Sequence, residues 1–380
     1  MKTFVRAGAP PGAKTAQAVW YVSPDVFARE RECLFGREWI CVGREERVAN
    51  AGEYVVAEVA GESLIVTRDG NGKLHAFYNV CRHRGSRMCE AESGRFGGSI
   101  QCPYHAWTYR LDGTLRAARN MEDVSGFDVA DYRLAEAKIA SFEGFVFVNL
   151  DAAAPPFAQT FSPLIGRFSD WQLASLRTGA SITYDVACNW KLVFLNYSEC
   201  YHCPGVHPQL EKLSPWNGGR NDLTEGAFLG GYSQLRHAGG SLTTTGKTAR
   251  APIGSVHGED LNRVYYYTIF PSMLLSLHPD YAMVHYIRPL GHDRTRVECA
   301  WLFDPGAVND SAFDPSDAVD FWDLTNRQDW HVSELTQLGL QSRAYEPGPY
   351  SNAEGLLSAF DRHYLELMQQ RAQWTNDALK

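Results

Sequence analysis

At 380 residues the chain is too long for one average domain and suits two. A net charge of −8 and a pI near 5.9 argue against a nucleic-acid binder, and 21% charged with 44% hydrophobic residues is an ordinary globular balance. No apolar run approaches the ~20 residues a membrane span needs, and MKTFVRAGAPPGAKTAQAVWYV lacks the continuous apolar core of a signal peptide, so a cytoplasmic protein without a membrane anchor is expected.

Along the chain, residues Pro24 to Phe35 read as a helix with Ser23 as N-cap. From about Trp39 to Leu150 apolar and polar residues alternate. Asp69-Gly70 and Asn71-Gly72 signal a hairpin, and further short strands are expected at Ser99-Ile100, Trp107–Tyr109 and Gly144–Leu150. The stretch Asp151 to Phe157 reads as a linker. Beyond it lie the strand-like runs SITYDVACNW, VYYYTIF, MLLSLHP, AMVHYIRPL and TRVECAWLFD, with helices expected over Lys191–His202, Ala318–Leu340 and Ala353–Trp374. The expected class is α+β. An arm and helix over 1–38 should pack on the C-terminal domain, followed by an all-β domain over 39–155 and an antiparallel sheet with long helices over 156–380.

Nine cysteines without framework spacing exclude a secreted disulfide scaffold, so free thiols are expected, some of them binding metal. Cys81-x-His83 and Cys102-x-x-His105 each fall beside an expected turn. Two such loops can hold zinc through two thiolates and two imidazoles, or a [2Fe–2S] cluster with two cysteines on one iron and two histidines on the other. Zinc sites of this composition usually pair Cys with Cys and His with His. Here each loop supplies one of each, which favours the cluster.

A second centre is suggested by NYSECYHCPGVHP. His202 and His207 are five residues apart, about 140° on an ideal helix, but Pro204 and Gly205 between them should break it and let His207 swing back. Two histidines and one carboxylate form the facial triad of non-haem Fe(II) oxygenases. Among Asp320, Asp323, Asp329, Glu334 and Asp361, helical phase at ~100° per residue puts Asp329 with the apolar Ala318, Trp322 and Val332, with Asp361 in reserve. A carboxylate on an apolar face is costly unless paired or metal-bound. Cys200-x-x-Cys203 also reads as a zinc or redox half-site. Without a second pair, and with its side chains diverging on a helix, it is taken as two packing thiols.

C-x-H followed by C-P-Y-H-x-W resembles the Rieske domain of the ring-hydroxylating and related non-haem iron oxygenases. The 18 residues between His83 and Cys102 slightly exceed the usual gap. Ala106 replaces a common glycine, so a positive φ there is not expected. Ser86 and the displaced Cys89 lack the extra disulfide of respiratory Rieske proteins. N-x-x-E-x-Y-H-x-x-x-x-H, matched by Asn196, Glu199, Tyr201, His202 and His207, resembles the family's mononuclear iron motif. N-R-Q-D-W with Asp329 resembles its carboxylate helix. The likeness runs from Trp39 to Phe360.

It implies a Rieske [2Fe–2S] domain and a helix-grip catalytic domain with mononuclear Fe(II). It further implies a homotrimer, O₂ as co-substrate, and electrons from NAD(P)H through a separate flavin or iron–sulfur reductase. By position Glu199, three residues before His202 on what reads as one helix face, would bridge the cluster of one subunit to the iron of the next. Glutamate there, and the FPSMLLSLHPDY run, resemble the glycine betaine and carnitine branch. In that branch hydroxylation of an N-methyl group gives a hemiaminal that collapses to formaldehyde and the demethylated amine.

The aromatic residues Tyr265, Tyr267 and Tyr281, with His285, are candidates for a pocket that holds a trimethylammonium group by cation–π attraction. The same residues could line a pocket for an aromatic ring, the substrate of a ring-hydroxylating or O-demethylating oxygenase. An electron-transfer iron–sulfur protein would lack the second iron, and a zinc module would be colourless.

Overall fold

A computed structural model describes residues 3–378, so residues 1–2 and 379–380, the outermost ends of the expected first and last domains, lie outside the described residues. The chain divides into two compact units, one of residues 34–161 and one of residues 1–33 with 162–380.

In the first unit every strand pairing is antiparallel. A seven-stranded sheet runs in the order Ile40–Arg44, Phe145–Asn149, Glu136–Phe142, Leu74–Tyr78, Glu62–Arg68, Glu53–Val59, Ser93–Arg95. The expected hairpin closes where Asp69 N donates to Lys73 O at 2.9 Å, with Asp69 Oδ1 accepting from Asn71 N and Lys73 N and Gly72 taking a φ of +83°. A second, three-stranded sheet of Ser99–Gln101, Thr108–Arg110 and Leu115–Ala117 shares a core with it. Ile65, Phe77, Trp107, Tyr109 and Leu134 fill that core together with Cys81 and Cys102, so both thiols point inward. Gly113 lets the turn seat on Phe77: a Cβ there would lie 2.5 Å from the ring.

The second unit is a seven-stranded antiparallel sheet in the order Arg177–Val186, Thr295–Phe303, Ala282–Pro289, Met273–Leu277, Arg263–Ile269, Phe228–Gln234, Arg220–Leu223. Three helices frame the site: α1 (Trp190–Tyr197), α2 (Ser316–Leu340) and α3 (Gly355–Ala378). The expected run SITYDVACNW splits. Its strand ends at Val186, and Asn189 caps α1 by accepting from Lys191 N at 3.1 Å. The two strands from Arg220 to Gln234 are glycine-rich and carry no clear alternation. They pair closely because glycine is present: a Cβ on Gly231 would meet Arg220 O at 2.0 Å.

The N-terminal helix spans Pro24–Glu30 with Ser23 accepting from Val26 N, and a wider π-type turn continues it over Arg31–Phe35. Within the same unit, Lys191 of α1 meets Glu30 at 2.5 Å in a fully buried ion pair, which Tyr364 of α3 and the Trp190 indole also join. An unpaired charge there would be expensive, so this network ties the N-terminal helix and α3 to α1.

Candidate metal centres

The first centre lies on two loops of the same construction. In one, Gly85 N donates to Cys81 O and Cys81 N to Ser86 O. In the other, Ala106 N donates to Cys102 O and Cys102 N to Trp107 O. The fourth residue after each cysteine is left-handed, Gly85 at φ +73° and Ala106 at φ +57°. This corrects the expectation for Ala106: the loop's two hydrogen bonds impose the left-handed turn whether or not glycine occupies it.

Both thiols are buried, His83 is exposed and His105 half-buried, with the two imidazoles 4.7 Å apart edge to face. His83 stacks on Trp107 at 4.8 Å, and Tyr109 Oη lies 3.6 Å from Cys81 Sγ while accepting from Arg82 N. The sequence reading missed Tyr109, whose only signal is its alternation with Trp107. No three of these four side chains bring donor atoms as close together as a single ion requires; among the described residues only His202, His207 and Asp329 do so. Sulfur inside and nitrogen outside on paired loops fit a two-iron cluster better than one zinc. Cys89 is free, so the loops carry no respiratory-type disulfide.

At the second centre His202 Nε2, His207 Nε2 and Asp329 Oδ1 form a triangle with sides of 3.2, 2.7 and 3.3 Å. The outer nitrogen of each ring is held. His202 Nδ1 is 2.5 Å from Glu199 Oε1, and His207 Nδ1 is 2.8 Å from Gln328 Oε1. An oxygen that only accepts fixes Nδ1 as the donor and leaves the Nε2 lone pair for metal. Burial opposes charge on His202, but its hydrogen bonds to Asp329 and Glu199 outweigh that and raise its pKa to about 10. The same histidines hold the Asp329 carboxyl below its usual range against the effect of burial. The donor set therefore favours positive charge at its centre and fits a cation bound by two imidazoles and one carboxylate.

The local chain path differs from expectation. Helix α1 stops at Tyr197, not at His202, so Glu199 and His202 do not share a helix face. They meet across a turn in which Glu199 also accepts from the backbone N of Tyr201 and His202. Pro204 and Gly205 do not break a helix either. They form the short helix Cys203–Val206, with proline in its first turn where a missing N–H costs nothing, and His202 and His207 flank it. Cys200 and Cys203 are joined in a disulfide and are not packing thiols: the turn at this point, with Cys203 N donating to Cys200 O, brings their Cα atoms to 5.0 Å. Asp361 is excluded as the third ligand, since it sits on α3 accepting from Tyr350 Oη and Ala16 N, and it is not in the metal-donor group.

A cavity of ≈ 170 Å³ adjoins the triad, and Asn196, Tyr197, Tyr266, His285, Trp322 and Trp330 contribute to its wall. Its wall corrects three of the four pocket candidates. Strand alternation points Tyr266 inward, whereas Tyr265 and Tyr267 face the other side of the sheet, bonded to Asp260 and Asp222. Tyr281 is fully buried, donating to Leu242 O. His285 does line the cavity, bonded through Nε2 to Asn326 Oδ1 at 3.1 Å, and burial pushes its pKa down to about 4. Gln328, Asn326, Trp322 and Trp330, all on α2, were given no role in the site by the sequence. The signal available was their shared helix with Asp329.

Paired Cys-His loops in a β-rich unit, and a two-histidine, one-carboxylate centre under an antiparallel sheet, define a Rieske-type non-haem iron protein. Residues 38–133 match the Rieske [2Fe-2S] domain and residues 173–370 the ring hydroxylating alpha subunit catalytic domain. The chain belongs to this oxygenase alpha-subunit family and is an oxidoreductase. It is 31% identical to the glycine betaine monooxygenase oxygenase subunit of Chromohalobacter salexigens (87% of this chain, 80% of the relative) and 31% identical to the carnitine monooxygenase oxygenase subunit of Escherichia coli K12 (88% and 87%). The fold is similar to that of the quaternary ammonium Rieske monooxygenase CntA in complex with L-carnitine, with a TM-score of 0.78 at 26% identity over 93% of this chain and 95% of that one. Among the described residues no helix is long and apolar enough to cross a membrane.

Proposed function

We propose that this chain is the terminal oxygenase of a multicomponent system that hydroxylates, and so N-demethylates, a small quaternary ammonium compound. The observation that carries the reading is the aromatic wall beside the triad. Tyr197, Tyr266, Trp322 and Trp330 line one small cavity with the metal-binding residues, and aromatic faces attract a trimethylammonium group that offers no hydrogen bond. The relatives named for glycine betaine and carnitine support it.

When bound, the mononuclear iron supplies O₂ activation and the cluster supplies electrons one at a time. The remaining roles belong to the chain. Cys81, His83, Cys102 and His105 would hold the cluster, and His202, His207 and Asp329 the iron. Glu199 orients His202 and is proposed to link it to the cluster of a neighbouring subunit in a homotrimer. Asn196, in the last turn of α1, lines the cavity three residues before Glu199. The aromatic wall would hold the ammonium group with one methyl toward the triad and keep water off the reacting carbon. A flavin or iron–sulfur reductase using NAD(P)H is the proposed electron source, in the cytoplasm.

Purified enzyme with a generic reductase, offered glycine betaine, carnitine, choline and simple aromatic acids, tests this. Oxygen uptake with a demethylated amine and formaldehyde is expected from a quaternary amine. Turnover of aromatics alone would replace the reading with a ring-hydroxylating or O-demethylating one.

A further inference from the structure

Arg6 and Ala7 of the N-terminal segment line the same cavity. Val5 pairs antiparallel with Asn221, its N donating at 2.8 Å and its O accepting at 2.6 Å, and Asn221 Oδ1 also accepts from Ala7 N. On the far face of the sheet, beside Tyr265, the Phe4 ring meets Tyr232 edge to face at 4.9 Å and anchors the segment. At the start of α3, Gly355 lets the segment lie against the helix, since a Cβ there would be 2.6 Å from the Ala7 backbone. Arg6 and Ala7 are therefore fixed as part of the cavity wall, together with Asn221.

Arg6 is the only lysine or arginine among the residues lining the cavity. The two acidic groups of the lining are occupied elsewhere, Glu199 by His202 and Asp329 by both histidines. Arg6 itself has no hydrogen bond or ion pair among the described residues, and its side chain is exposed. The cavity lining thus combines aromatic and metal-binding groups with a single uncommitted guanidinium. A guanidinium matches a carboxylate in charge and in fork geometry.

We propose that Arg6 binds the carboxylate of the substrate, so that the enzyme acts on zwitterionic, carboxylate-bearing quaternary amines in preference to uncharged-tail or alcohol-tail ones. This rests on the quaternary ammonium reading above. The cation–π wall would take the trimethylammonium end and Arg6 the other end, which sets the distance between the two charges the cavity accepts.

The test compares wild type, Arg6→Gln and Arg6→Lys in the iron-loaded enzyme with glycine betaine, carnitine and choline. Dissociation constants come from tryptophan fluorescence or calorimetry, and KM and kcat from oxygen uptake. Arg6→Gln should raise Kd and KM for the two carboxylates about 10- to 100-fold, with a smaller change in kcat and in choline binding, and Arg6→Lys should recover part of the loss. Unchanged carboxylate binding in Arg6→Gln, or an equal loss for choline, would overturn the assignment while leaving the quaternary ammonium reading intact. Wild type that binds none of the three would remove that reading, and the Arg6 assignment with it.

Discussion

Glu199 Oε1 lies 2.5 Å from His202 Nδ1, and the opposite nitrogen of the same ring faces His207 Nε2 and Asp329. One carboxylate thus sets the tautomer and basicity of an imidazole in the candidate metal-donor group from outside that group. The same residue accepts from the backbone of Tyr201 and His202, so it also shapes the turn that carries the ligand.

Glu199→Gln keeps an acceptor for Nδ1–H but removes the charge. The loss of a partner of this kind typically costs 10–100-fold in metal affinity or activity. Turnover should fall about that much, with the visible cluster spectrum unchanged and iron retained at saturating metal. Wild-type turnover in the glutamine variant would show that Glu199 serves the turn alone.

The aromatic strand Arg263–Ile269 separates two roles by alternation. Tyr266 faces the cavity, and Tyr265 donates to Asp260 on the far side. Removing one cation–π contact worth about 0.5–2 kcal/mol should raise the KM for a quaternary amine roughly 2- to 30-fold in Tyr266→Leu. Tyr265→Phe should leave KM unchanged and lower the melting temperature through the lost hydrogen bond. The reverse pattern in steady-state kinetics would invert the facing of the strand.

Tyr266 also shows where the sequence stops being legible. Two-residue periodicity says that alternate tyrosines of VYYYTIF share a face but not which face is inside, because both sides of this sheet are covered. The candidate metal-donor residues were legible because Cys-x-His, Cys-x-x-His and His-x₄-His are local patterns. Asp329 was legible because a carboxylate in phase with Ala318 and Trp322 needs a partner. Gln328, next to it, was not, since a glutamine at a half-buried position carries no comparable penalty. The end of α1 at Tyr197 was obscured because Ser198 to Cys203 contain no glycine or proline, and the break comes instead from Glu199 drawing the following amides onto its side chain.

Asp361, the reserve ligand, gives a pH prediction at a distance from the triad. Burial raises its pKa to about 6, against hydrogen bonds from Tyr350 and Ala16 and the charge of Lys191. Tyr21, Tyr345, Tyr364 and the Glu30 that pairs with Lys191 are further ionisable groups of this network. A carboxyl with a higher pKa folded than unfolded binds more protons in the folded state. Its ionisation therefore weakens the fold as pH rises from about 4 to about 6. Asp361→Asn should remove a penalty on the order of 2–3 kcal/mol. Its melting temperature should exceed wild type above pH 6.5, and the gap should close below about pH 4. Iron content should be unchanged. A gap that does not vary with pH in thermal melts would mean that Asp361 does not titrate in this range.

The paired cluster loops supply the last prediction. Gly85 and Ala106 hold equivalent positions, both left-handed, at φ +73° and +57°. An L-residue in that region is disfavoured by about 1–2 kcal/mol, and glycine, which is not, loses about 0.5–1 kcal/mol of chain entropy on folding. The two effects leave a small net gain for glycine. Ala106→Gly should therefore stabilise its loop by up to about 1 kcal/mol. Gly85→Ala should destabilise the other loop by a similar amount, since a Cβ at Gly85 meets nothing within 4 Å and only the backbone preference is at stake. Thermal loss of the visible cluster absorption in the two variants measures both. A lower midpoint for Ala106→Gly would mean that the alanine methyl makes packing contacts worth more than the backbone strain it carries.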